Sequence, residues 1–398
     1  SATAPTGGAL QASVSEYFIH AQQGQAQSCS NVISMDDISK DLIGVLNDTG
    51  NYQNNEIDIT TISSDGNTIF VNGGQENMIY KKADNEWKSE GVKSFGYLDK
   101  MSADGKTIIS VSNKENYPAS NIAEWRQSND GWVKKQNINA NVGIIDAVHD
   151  IVISDDGQVL FASYSFNDHN SREIGIFEKE NGVWTKISQL VSSDDLHIAS
   201  TGFKATENGD YLIVESWNNQ TSGIALLKRE GKNWIKNQNI SIFDMHDFSY
   251  GGTRVMSIHV NDDTVLIQAD EANNDWVIGY RLSNNTLSKR FEYEIGSANA
   301  IALSKSGKVA VSYKEKFGDD DSQVNAWIDT FTIENDDLVP FQTMDSPFSG
   351  QYDNGFGNRL VWSFDGENLL SVATSDKHSG SNINEESNNK NRGAIYMY

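Results

Sequence analysis

Apolar and polar residues alternate along most of this chain in short runs, which Gly, Asn, Asp or Ser interrupts every few residues. A two-residue period belongs to strands with one buried face, and turn-formers between such runs are hairpin signals. The runs repeat as a phrase. Its first copy has Ile57-Asp58-Ile59-Thr60-Thr61-Ile62, the turn Ser63-Ser64-Asp65-Gly66, the apolar run Thr68-Ile69-Phe70-Val71, a third run Asn77-Met78-Ile79-Tyr80 and, past another turn, Trp87. The turn recurs as Ser102-Ala103-Asp104-Gly105, Ser154-Asp155-Asp156-Gly157, Asn208-Gly209, Ser304-Lys305-Ser306-Gly307 and Ser363-Phe364-Asp365-Gly366. One copy is degraded, with Asn261-Asp262-Asp263 in place of the glycine turn. Trp132, Trp184 and Trp234 repeat the tryptophan, and Leu287 and Leu338 occupy its slot in later copies.

The turn glycines fall at 66, 105, 157, 209, 307 and 366, and the wide gap from 209 to 307 holds the degraded copy. That spacing suits a propeller blade of four strands of ~5–6 residues each with their turns. Asp-Gly and Asn-Gly between apolar runs specify tight hairpins, because the turn needs positive φ. The expected fold is therefore all-β: a seven-bladed β-propeller of four-stranded antiparallel blades. Blades are expected to start near residues 57, 95, 147, 200, 252, 298 and 355. The seventh copy ends at Tyr398 after its third run. Ser13-Val14-Ser15-Glu16-Tyr17-Phe18-Ile19-His20 alternates without a partner of its own, so it is expected to supply the missing strand and close the ring. Residues 13–56 then hold the closing strand and an insert, with Leu42, Ile43, Val45 and Leu46 in a short helix or hairpin. Residues 1–12 read as a flexible segment of small polar residues that starts a processed or trimmed chain.

Composition narrows the function. The 55 Asp and Glu against 31 Lys and Arg give a formal charge of −24, which argues against a nucleic-acid partner. A single Cys, Cys29, excludes a disulfide scaffold and a cysteine-ligated metal site. No apolar run approaches the ~18 residues a membrane helix needs. Nine Trp, 14 Tyr and 16 Phe place the chain among folded proteins rather than acidic disordered ones. Acidity and short polar loops fit a secreted, periplasmic or outer-surface-anchored bacterial protein, a lipoprotein among the options, and a monomer.

The last copy resembles a known family. Gly355-Phe356-Gly357-Asn358, Ser363-Phe364-Asp365-Gly366-Glu367-Asn368-Leu369-Leu370 and Gly393-Ala394-Ile395-Tyr396-Met397-Tyr398 are similar to the FG-GAP repeat of integrin-α-like β-propellers, and Phe95-Gly96 heads the second copy in the same way. The resemblance implies an extracellular or periplasmic propeller used mostly for binding. The family's Asp-x-Asp-x-Asp-Gly calcium loop is missing here.

Candidate chemistry gathers in the loops between second and third strands. Tyr164, Trp217 and Tyr313 stand at comparable strand ends, and a ring of exposed aromatics suits sugar faces or peptides. The competing reading packs each ring against the next blade. Asp319-Asp320-Asp321 offers hard oxygens to Ca²⁺, against the alternative of a solvated acidic loop. Asp155-Asp156-Gly157 and Asp336-Asp337 read as turn residues. His149-Asp150 and His246-Asp247 are adjacent pairs before strands from which a channel-mouth metal site could be built, although separate blades would have to converge. No nucleophile elbow or phosphate loop occurs.

Three functions follow as expectations. The first is a non-catalytic binding propeller that recognises a glycan, peptide or protein through one channel face. The second is a propeller lyase or hydrolase with its site assembled from several blades, which titratable side chains converging on one channel mouth would favour. The third is a structural module of a surface assembly.

Overall fold

Among the described residues every regular element of the computed structural model is a β-strand. The structure describes residues 58–397 except 74–75, 84–85, 94, 97, 114–119, 130, 139–144, 146, 166–171, 193–197, 218–220, 245–253, 272–273, 318–322, 347–355, 364–365 and 377–391.

The strands form seven antiparallel sheets, each built from consecutive strands. The first holds β1 (Asp58–Ile62), β2 (Thr68–Gly73), β3 (Glu76–Ala83) and β4 (Glu86–Lys93). The second holds β5 (Leu98–Met101), β6 (Thr107–Asn113), β7 (Ser120–Ser128) and β8 (Gly131–Asn137). The third holds β9 (Ala147–Ile153), β10 (Val159–Ser165), β11 (Arg172–Glu180) and β12 (Val183–Val191). The fourth holds β13 (Ile198–Ala205), β14 (Tyr211–Trp217), β15 (Thr221–Glu230) and β16 (Asn233–Asp244). The fifth holds β17 (Arg254–Val260), β18 (Thr264–Glu271), β19 (Asn274–Ser283) and β20 (Thr286–Gly296). The sixth holds β21 (Ala298–Leu303), β22 (Lys308–Phe317), β23 (Gln323–Glu334) and β24 (Asp337–Asp345). The seventh has three strands among the described residues, β25 (Arg359–Trp362), β26 (Leu369–Asp376) and β27 (Arg392–Met397).

Contacts between first strands arrange the sheets in a ring. β1 touches β5, β5 touches β9, and the series runs through β13, β17 and β21 to β25, which touches β1 again. The first strand of every sheet thus faces the centre, as in a propeller with four-stranded antiparallel blades. The proposed closing strand Ser13–His20, the insert and the segment 1–12 lie outside the described residues.

Apolar layers fill the space between successive sheets. Phe161 and Ile176 of the third sheet meet Leu212, Val214 and Ala225 of the fourth. Alternate residues of the fourth, Ile213 and Leu226, meet Val265 and Ile267 of the fifth. The second strand is therefore buried on both faces, and all seven residues of β10 are buried. Burying such a Phe, Leu or Ile contributes roughly 1.5–3 kcal/mol.

The recurrent turn has one construction. Ser63 Oγ donates to Asp65 Oδ1 (2.5 Å) and accepts from Thr68 N (2.9 Å), while Asp65 Oδ1 also accepts from Asn67 N (3.0 Å). Gly66 takes the positive φ that closes the turn, 67°. Ser102–Asp104 and Ser154–Asp156 repeat the bonds, and Thr206–Asn208 substitutes the same groups. In the degraded copy Asn261 Oδ1 alone accepts from Asp263 N and Thr264 N, at 3.1 and 2.8 Å. A side-chain amide thus does the work of the serine and aspartate, and no glycine is required.

These turns also lock neighbouring blades. Gly105 lies against Ser63 and Thr68, Gly157 against Ser102 and Thr107, Gly209 against Val159, Gly366 against Ser304 and Ser306, and Gly66 against Asn368. These five turns each seat on the blade before them, the first on the seventh, and Asn261 Nδ2 donates to the Ser304 carbonyl (3.0 Å) to join the fifth and sixth turns. Outer-strand residues reach back in the same direction. Trp132 Nε1 donates to Glu90 (3.2 Å), Trp184 Nε1 to Glu124 (3.2 Å), and Trp234 stands edge-on to Phe161 with ring centroids 5.2 Å apart. Where Leu287 replaces the tryptophan, its backbone exchanges two hydrogen bonds with the Gln238 side chain.

Candidate functional site

The side-chain bonds that build the turn come from its first and third residues, not from its second. In successive blades this position holds Ser64, Ala103, Asp155, Glu207, Asp262, Lys305 and Phe364. Because all the turns lie at one end of the first strands, the ring gathers these positions at one mouth of the central channel. Phe364 lies outside the described residues.

Two bonds prove the convergence. Lys305 of the sixth blade forms an ion pair with Glu207 of the fourth, passing over the fifth. Asp155 N donates to the Glu207 carbonyl (3.1 Å), which ties the third turn to the fourth. The Asp155 and Glu207 carboxyls are also within hydrogen-bonding reach of each other. Burial, with Glu207 and Asp262 as like charges, pushes the Asp155 carboxyl up to about 7, although Lys305 opposes this. Asp155 Oδ2 is buried with no hydrogen-bond partner. Lys305 is held above its ordinary value; burial works against its charge, but Glu207, Asp155 and Asp262 outweigh it. Three carboxyl groups around one ammonium leave a net negative mouth. Two of them can share a proton near neutrality, as paired carboxyls that cannot both ionise cheaply do.

Below the mouth, on the channel-side strands, lie Lys204 of β13 and Ser257 and His259 of β17. His259 Nε2 is 3.3 Å from Ser257 Oγ. Burial lowers the imidazole to about 3, and the Lys204 charge adds to this, so the ring is neutral at physiological pH.

The aromatic candidates take other places. Tyr164 is fully buried in the layer between the second and third sheets, beside Ile109, Val111 and Phe177, with Lys186 Nζ 5.5 Å from its ring centre. Tyr313 is half-buried and stacks on Trp327 at 5.2 Å with an 18° interplanar angle. Trp217 ends β14, paired with Ser222. Asp319, Asp320, Asp321 and His246-Asp247 lie outside the described residues. Among the described residues no group of three His, Cys, Asp or Glu is placed to hold a metal. His149 Nε2 lies 3.3 Å from Ser165 Oγ. Asp336, at a φ of 66°, is the turn residue it was expected to be and pairs with Arg281 and Arg290, both at 2.7 Å.

Solved structures share the fold. A protein of Bacteroides uniformis described as a candidate 6-phosphogluconolactonase aligns with a TM-score of 0.50 and 11% identity, over 82% of this chain and 90% of its own. A prolyl endopeptidase aligns with a TM-score of 0.50 and 13% identity over 90% of this chain, which spans about half (51%) of that enzyme. The β-propeller domain of the Trilobed protease of Pyrococcus furiosus aligns at a TM-score of 0.47, with 12% identity, over 80% of this chain and 91% of its own. No protein-family model and no curated protein matches the sequence. The two likenesses at a TM-score of 0.50 show the fold alone, the β-propeller that the ring of blades already defines, and do not single out the FG-GAP branch.

The FG pairs themselves are structural. Phe95 is buried against Phe70, Trp125 and Trp132. Phe356 is buried between the sixth and seventh sheets. Gly96 leaves no room for a side chain beside the Val111 carbonyl, and the Gly357 carbonyl accepts from Ser312 Oγ (2.7 Å).

Proposed function

We propose that this propeller is a binding module whose acidic turn-face mouth receives a cationic segment of a peptide or protein partner. The observation that carries the proposal is the gathering of Asp155, Glu207 and Asp262 around Lys305, contributed by four successive blades. A ligand ammonium or guanidinium would replace Lys305 on Glu207 and favour the ionised form of the neighbouring Asp155 carboxyl. The glycan alternative loses support, since Tyr164 is core and Tyr313 is committed to Trp327. The test is calorimetric titration with a Lys/Arg-rich peptide and with an acidic peptide of equal length. Affinity for the basic peptide should rise ~10-fold between pH 6 and pH 8 as Asp155 ionises. Asp155→Asn should abolish that rise. Equal binding of the two peptides, or none, would overturn the proposal.

The carboxyl pair also favours the enzymatic alternative, because a buried acid that titrates near neutrality can serve as a general acid or base. Hydrolysis or elimination on a panel of ester, glycoside and uronide substrates, lost in Glu207→Gln while peptide binding is only weakened, would support it.

The finer architecture belongs to the same proposal. We place the chain among seven-bladed, FG-GAP-like propellers, with the Ser13–His20 strand completing the seventh blade. The protein then works as a monomer outside the cytoplasm, secreted, periplasmic or surface-anchored.

A further inference from the structure

We propose that Asp99 is held protonated and that its proton fastens the seam between the first two blades, so that this seam loosens as the pH rises. Asp99 lies on the channel-side strand β5 of the second blade and Asn77 on β3 of the first. Both are fully buried, at 0% exposure. Asn77 Nδ2 donates to Asp99 Oδ2 at 2.6 Å. The two atoms left over, Asn77 Oδ1 and Asp99 Oδ1, are both buried and both without a partner.

Two unsatisfied acceptors on residues already bonded across one seam are a double penalty, since each unsatisfied buried group costs free energy. One proton removes both. With hydrogen on Oδ1, Asp99 donates to Asn77 Oδ1 while Asn77 Nδ2 donates back to Oδ2, and carboxylic acid and amide meet in two parallel bonds.

The surroundings agree. β2 and β6, packed on β5, carry no charged residue. β1 carries Asp58, β3 carries Glu76, Lys81 and Lys82, and β9 carries His149 and Asp150. Among the described charged side chains, Lys100 is the one that acts on Asp99. Burial pushes the carboxyl up to about 7, outweighing the Asn77 bond, Lys100 and a backbone hydrogen bond from Gly96. A carboxyl raised in the folded state stabilises folding fully below its unfolded value of 3.8 and loses that contribution as pH rises through about 7.

The test compares wild type with Asp99→Asn, which keeps the shape and supplies a permanent donor for Asn77 Oδ1. Denaturation midpoints of the two should lie closest near pH 4, draw apart as the pH rises toward about 7 and keep a constant separation above it, with wild type the less stable. Hydrogen exchange in β3 and β5, corrected for its intrinsic pH dependence, should quicken about 10-fold or more in wild type between pH 6 and pH 8.5, and not in the variant. Should Asp99→Asn fail to fold, infrared difference spectra of wild type supply the second measurement. A buried carboxylic-acid carbonyl band should then be lost near pH 7, and Asn77→Ser should shift that band. A pH-independent difference between the proteins, or no protonated carboxyl at pH 6, overturns the proposal.

Discussion

At the residue scale the fold depends on positions where a side chain is either indispensable or forbidden. Ser102 Oγ donates to Asp104 (2.6 Å) and accepts from Thr107 N (3.1 Å) in a buried turn. Ser102→Ala should therefore cost about 1–2 kcal/mol, read from urea denaturation. Gly96→Ala drives a methyl into the Val111 carbonyl, a rigid backbone neighbour. It should cost about 2–3 kcal/mol, with Gly131→Ala as a contrast, because space is open there and only its positive φ of 107° is strained. The serine, aspartate and glycine of the turn were readable from sequence because their roles are local: each bonds within five residues. The residue after the serine was unreadable for the converse reason. Asp155, Glu207, Asp262 and Lys305 acquire meaning only when the ring brings distant turns to one axis, and Asp155 in particular looked like an ordinary turn residue.

At the scale of elements, the charged clasp between β7 and β11 shows what alternation alone conceals. Glu124 points into the seam between the second and third blades, where Lys179 pairs with it, Arg126 Nε reaches it at 2.7 Å, Gln136 at 2.9 Å and Trp184 at 3.2 Å. The Glu124 and Lys179 side chains are 1% and 3% exposed. Burial opposes ionisation of Glu124, but Lys179, Gln136 and Arg126 together hold its carboxyl below the ordinary value. A depressed carboxyl contributes stability present above its unfolded value and lost as pH falls through the folded one. Glu124→Gln should accordingly flatten the acid limb of the stability profile below about pH 4.5. Lys179→Met alone leaves a buried anion and should cost about 3–5 kcal/mol; the pair Glu124→Leu with Lys179→Met should recover most of it, as a double-mutant cycle would show. Strand positions were legible because burial on both faces replaces the two-residue period with short continuous apolar runs bounded by turn residues. The tryptophan slot was legible as an outer-strand marker, but not its partner, since Trp132 and Trp184 bond to carboxylates of the preceding blade.

At the scale of the whole molecule, the blades are held by interfaces that all run one way. The second, third, fourth and seventh turns seat on their predecessors, and the first seats on the seventh through Gly66 and Asn368. The four-stranded blade pattern was legible because the phrase recurs; the candidate ring of aromatics was not decidable, since burial of Tyr164 depends on the packing of the neighbouring blade. A chain shortened by its last blade should lose cooperative unfolding, visible as a broadened thermal transition and a smaller m-value. A head-to-tail interface, unlike a two-fold one, consumes one surface of each kind at every joint and leaves none over only when the circle closes. Any cut that removes a blade therefore exposes a socket at one end and its matching plug at the other. Fragments of this protein should find the plug of a second molecule when they cannot reach their own, and the same geometry that makes one chain a closed ring would make many broken chains a filament.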